Sequence, residues 1–167
     1  GIAIGSVAIN RLLEGKVSAR FAPACVLAMG GFVLLFYLVC HGWEVSQTGR
    51  LYDIPDFLAH PDSWAVVLTL LGIATAGGMF VVPLYAFLTT TVPKSETARA
   101  VAANNLVNSG AMVLGSVVTF ALSAAGIAIT EQLLLSGVMC LVSAWLAHRL
   151  HLASADMVLR DAEGPML

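Results

Sequence analysis

Apolar residues fill five blocks, at residues 1–10, 21–42, 63–92, 97–126 and about 127–150, and these blocks carry almost no charge. The charged residues gather in the breaks. Arg11, Glu14, Lys16 and Arg20 form one group, and Glu44, Arg50, Asp53, Asp56 and Asp62 a second. Lys94, Glu96 and Arg99 form a third, and Arg149, Asp156, Arg160, Asp161 and Glu163 close the chain. Glu131 stands alone near the junction of the last two blocks. A charge at the centre of a bilayer costs roughly 2.5–3.5 kcal/mol, so this spacing predicts helices in lipid joined by polar connections. The first block is too short to cross, since a span takes about 20 residues. The chain also opens on Gly1, so we expect this block to be the end of a helix that begins upstream. The block at 63–92 exceeds the hydrocarbon thickness at ~1.5 Å per residue, so it is expected to tilt, kink or project. The junction between the last two blocks, near residues 126–132, must be tight.

Composition agrees. Of 167 residues, 59% are hydrophobic and 11% charged, against about 25% charged in soluble domains. A disordered chain would need the opposite balance. The formal net charge of −2 offers no basic field for nucleic acid. The expected fold class is an all-α polytopic membrane protein, with residues 1–150 as its helical region and 151–167 as a cytoplasmic tail. Its first partner is the lipid bilayer. No amino-terminal charged region with a cleavage site marks a secretory signal.

Cations fall on alternate connections. Arg11, Lys16, Arg20, Lys94, Arg99, Arg149 and Arg160 lie on the first and third connections and the tail. Only Arg50 lies on the others. Positive charge stays cytoplasmic, which puts the carboxyl terminus inside and the acidic connection at 43–62 outside.

Small residues recur within the blocks. Gly1 and Gly5 are four apart, as are Ala111 and Gly115, and Gly30, Gly31, Gly72, Gly77, Gly78 and Gly137 add to them. They suit close backbone approach in lipid or hinges of the kind found in transporters. Pro83 removes a helical hydrogen bond, so a kink is expected near residues 79–83, made easier by Gly77 and Gly78. The fourth block holds one polar cluster. Asn104 and Asn108 share a helix face, with Asn105 and Ser109 beside them. Amides in lipid need partners, either neighbouring helices or a wet cavity and a polar substrate group.

Few residues offer chemistry. Cys25, Cys40 and Cys140 lie in apolar blocks without paired spacing and read as small buried hydrophobes. His148 and His151 are read as helix-end cations rather than a metal pair. His41 is read as interfacial and His60, before Pro61 and Asp62, as part of a turn. No nucleophile–base order, phosphate loop or paired carboxylates point to an enzyme, and no metal or cofactor is expected. No Asp or Glu lies deep in a block, so no proton-coupling carboxylate is evident.

The stretch GGMFVVPLYAFLTTTVPKSETARAVAANNLVNSGAMVLGS, residues 77–116, resembles the carboxyl-terminal half of the major facilitator superfamily, and within it the lysophospholipid transporter branch. That branch also occurs fused to an acyltransferase and an acyl-carrier-protein ligase. The likeness rests on Gly77, Gly78, Val82, Pro83, Leu84, Ala86 and Leu88, then Lys94 and Arg99, then Ala103, Asn104, Asn105 and Leu106. The opening GIAIGSVAINRLLEGKVSARFAP is similar to the family's helix end and cytoplasmic loop. That loop keeps Gly15, Lys16 and Arg20 of the superfamily's usual signature and lacks the rest.

The resemblance implies a fragment of a twelve-helix transporter: the end of the eighth helix and helices nine to twelve. It implies an inner-membrane, multi-pass protein that moves lysophospholipid or a similar amphiphile by alternating access against a second, amino-terminal bundle. Asn104, Asn105 and Asn108 are then candidates to hold a polar head group, and Gly77, Gly78 and Pro83 to flex. A facilitator of another small molecule, such as a drug or sugar, and the membrane part of a multidomain acyltransferase are the alternatives.

Overall fold

The computed structural model describes residues 1–13, 21–46 and 53–163; side chains are described up to Trp43 in the second segment and, past Leu150, at Leu152 alone. Gly15, Lys16, Arg20, Arg50, the side chain of His151 and the end of the tail therefore lie outside what is described. The described residues are mostly helical, with no strand among them. In order the helices are α1 (Ile2–Leu12), α2 (Ala22–Ser46), α3 (Ile54–Ala59), α4 (Ser63–Thr91), α5 (Thr97–Ala124) and α6 (Ile129–Glu163).

Four stretches are long and apolar enough to cross a membrane: Ala22–Trp43, Ser63–Thr91, Thr97–Ala124 and Ile129–Leu150. They match the uncharged blocks to within two residues at each end. The charged breaks set these limits, because an ion inside the span would lose its hydration.

Two features depart from the sequence expectation. The acidic connection is not all loop, since it contains α3. The last helix does not stop near residue 150 but continues to Glu163.

Packing runs inside-out relative to a soluble bundle. The buried set is mostly small: Ala22, Cys25, Ala76, Cys140, Ala144 and Ala147, with Val26, Val33 and Ile9. Large side chains such as Leu106 (75% exposed) and Phe120 (76%) face outward. In lipid an outward Leu costs nothing, and helices associate by close fit between small residues.

Glycines stand at the closest approaches. A β-carbon on Gly72 would lie 2.5 Å from the Phe32 ring, bringing α4 onto α2. One on Gly30 would lie 3.0 Å from Cys140 Cβ, bringing α2 onto α6. Between α1 and α4 two pairs of small residues, each four apart, face one another. Gly1 meets Ala74, Gly5 meets the Thr75 carbonyl and Gly78 meets the Ile2 backbone.

The same contacts fix direction. α1 runs parallel to α4, and α2 is antiparallel to both α4 and α6, as successive crossings require. Met29 and Phe80 complete a cluster around Val26, Cys140 and Ala144.

All three tryptophans sit toward the ends of these spans. Trp43 closes the α2 span and Trp64 is the second residue of α4. Trp145 lies near the opposite end, with the Arg149 guanidinium 5.2 Å above its ring. This is the aromatic belt expected where lipid meets water. Of the four spans, α5 touches the others least and has no buried residue. It turns into α6 at Gly126, whose φ of 86° suits glycine. Gln132 ties that turn, its Nε2 donating to Ser123 Oγ (2.9 Å) and to the Ile127 carbonyl (3.2 Å).

Candidate functional site

A cleft of about 630 Å³ lies between the second half of α4 and the first half of α5. Its α4 wall is built by Val81, Leu84, Tyr85, Leu88 and Val92, spaced three and four apart on one helix face, with Phe87 and Thr91 beside them. α5 contributes Asn104 and Asn108, and α6 contributes Leu150. Val92 leads into the connection that carries Lys94, and Leu150 follows Arg149. The cleft is an apolar trough with polar groups along one side, beside the cationic end of the bundle.

The availability of those polar groups decides what the cleft can do. The hydroxyls of Thr89, Thr90 and Thr91 bond back to carbonyls one turn earlier on α4. Among the described residues, Tyr85, Asn104 and Asn108 make no side-chain hydrogen bond. Two amides and a phenol are thus uncommitted inside an apolar trough, where each needs a water or ligand partner.

Sequence reasoning singled out Asn104 and Asn108, and the structure brings them to the cleft. Asn105 does not line it. Tyr85 was missed; the signal lay in the 81–84–85–88–91–92 periodicity on α4, which puts the one phenol of that helix on the Asn side.

Asn105 belongs to a longer pattern. At about 3.6 residues per turn, every Asn, Ser and Thr of α5 from Asn104 onward falls within an arc of about 140°. That arc holds Asn104, Asn105, Asn108, Ser109, Ser116, Thr119 and Ser123. The rest of the circumference is Ala, Gly, Val, Leu and Phe. A second, shallower depression of about 570 Å³ follows the same arc past Met112, Gly115, Ser116, Thr119, Phe120 and Ser123. Ser116 and Thr119 bond back to Met112 and Gly115 carbonyls. α5 therefore presents one polar edge along most of its length.

Gly77, Gly78 and Pro83 occupy packed positions on α4. Gly78 is buried, and a β-carbon there would lie 2.6 Å from the Ile2 carbonyl oxygen. Gly77 faces Met29 Sδ at ordinary contact distance, and Pro83 is buried. α4 is one helix across Pro83, so the proline does not end it.

Among the described residues no three His, Cys, Asp or Glu side chains converge on a metal position. None of the three cysteines is in a disulfide. Against the expectation that the His-x4-Asp motif of acyltransferases is absent, His151 and Asp156 have that spacing. They lie on the helical extension of α6, where a separation of five residues sets their positions about 140° apart around the axis. Comparison with known protein families, with characterised proteins and with solved structures finds no match.

Proposed function

We propose that this chain is part of a membrane transporter of the major facilitator type, and that its substrate is lysophospholipid or a similar amphiphile. The observation that carries this reading is the set of uncommitted groups on Tyr85, Asn104 and Asn108 in a cleft otherwise walled by Val, Leu, Phe and the back-bonded Thr91. An amphiphile has the matching parts. Its acyl chain fits the apolar wall, its glycerol or head-group oxygens fit the amides, and its phosphate fits the cationic end marked by Lys94, Arg99 and Arg149.

The polar edge of α5 supports the same reading, because a helix that lines a transport path must offer hydrogen bonds across the membrane. The resemblance at residues 77–116 supports alternating access between two bundles, the second supplied by further helices of the transporter. It also supports an inner-membrane protein with a cytoplasmic carboxyl terminus. Gly77, Gly78 and Pro83 would then lie where α4 slides and bends against α1 and α2 during rocking.

The test is a flippase assay on the full-length transporter in proteoliposomes, comparing Tyr85→Phe, Asn104→Ala and Asn108→Ala with the parent. The reading requires reduced lysolipid movement at equal reconstitution. Unchanged movement in all three variants removes the site. Competition by sugars or drugs in place of lysolipid would reassign the substrate to another small molecule.

A further inference from the structure

We infer that α3 is a membrane-surface helix, lying along the interface on its side of the bilayer with Ile54 and Leu58 seated in lipid. The argument begins with what holds α3. Asp53 caps it, its Oδ1 accepting the Asp56 N–H at 3.0 Å, and Pro55 sits in the first turn. The Trp43 ring stacks on Phe57, with centroids 5.8 Å apart, and on His60 at 4.5 Å. Trp43 is the last residue of the α2 span.

At the other end, Ser63 Oγ donates to the His60 carbonyl at 2.7 Å, and Ser63 is buried and begins the α4 span. α3 is therefore pinned at the level where two spans leave the hydrocarbon. Its depth is set by those spans and not by its own composition.

The faces follow from helix geometry. Taking Phe57 as the side against Trp43, Ile54 and Leu58 lie about 60° and 100° round one flank, and Asp56 about 100° round the other. Ile54 is 76% exposed and Leu58 47%, with Trp64 (57% exposed) close by in the first turn of α4. This apolar flank continues the outward-facing surface of the spans. At the depth where an aromatic belt sits, such a flank meets the boundary between head groups and acyl chains. Asp53, Asp56 and Asp62 provide the water-facing charge. The surface thus fits a zwitterionic lipid interface better than an anionic one. The inference is independent of what, if anything, is transported.

The test places a bimane label on single cysteines in the full chain, at Ile54→Cys, Leu58→Cys and Asp56→Cys, with Cys25, Cys40 and Cys140 replaced by Ala. The protein is reconstituted in phosphatidylcholine vesicles, and helix content is checked for each variant. Labels at 54 and 58 should emit to the blue of the label at 56. They should be quenched by shallow nitroxide lipids and resist iodide several-fold better than the label at 56. Iodide access at 54 and 58 equal to that at 56 overturns the inference by placing α3 in water. Shielding of 54 and 58 from both quenchers overturns it in favour of a protein cover. Trp64→Cys, at a site fixed by its own span, serves as the depth reference if either α3 variant fails to fold.

Discussion

Gly78 on α4 lies so close to Ile2 on α1 that a β-carbon there would stand 2.6 Å from the Ile2 carbonyl oxygen. Backbone cannot move aside as a flexible side chain can, so the two helices would have to part. Gly78→Val should destabilise the protein by about 1–3 kcal/mol through overpacking. Thermal melting in detergent measures this. Gly115→Ala, whose added methyl meets open space, should change stability by no more than about 0.5–1 kcal/mol. Equal effects at both positions would mean that α1 does not pack on α4.

Asn108 is exposed to the cleft and makes no hydrogen bond among the described residues. Asn108→Ala should therefore leave the melting temperature almost unchanged, within about 0.5 kcal/mol. On the proposed transport reading, lysolipid movement should fall by about two- to tenfold, the worth of one hydrogen bond. A large stability loss would instead identify the amide as a structural contact between helices.

The polar edge of α5 predicts a periodic accessibility pattern. If α5 lines a transport path as proposed, cysteines placed at Asn105, Ser109, Ser116 and Thr119 should react with a water-soluble maleimide in the full-length protein. Cysteines at Val107, Leu114 and Ala121, on the opposite side, should not. Reaction with no helical period would remove α5 from the transport path.

Gln132 is buried, and its Nε2 serves both Ser123 and Ile127 while its Oε1 has no partner. Gln132→Ala removes two bonds at the α5–α6 turn and also one unsatisfied acceptor, so the net cost should be about 1 kcal/mol. Faster amide hydrogen exchange confined to the α5–α6 turn would register it. No change in exchange there would show that Gly126 alone sets the turn.

Much of the fold was legible because ions are costly in lipid. Glu96 and Arg99 bracket the start of α5, and Asp62 marks the start of α4, so span limits could be read from charge alone. α3 was not legible. Six residues make too little pattern, and it is fixed by Trp43, which lies ten or more positions away in sequence. The extension of α6 was hidden for a different reason: once past the lipid its residues turn polar, and charge then marks the membrane edge without marking the helix end.

Asn104 and Asn108 could be found as a pair one turn apart. Tyr85 could be placed beside them only once α4 and α5 were known to flank the same space. The glycines showed the converse limit. Gly78 and Gly115 look alike in sequence, yet one meets backbone and the other nothing, because close approach belongs to the pair of helices and not to the residue.

α6 runs without interruption from Ile129 to Glu163 while its apolar stretch ends at Leu150. At ~1.5 Å per residue the remainder reaches about 20 Å beyond the lipid surface. Being continuous with the buried part, it acts as a lever arm: a tilt of a few degrees inside the membrane becomes a displacement of an ångström or more at its tip.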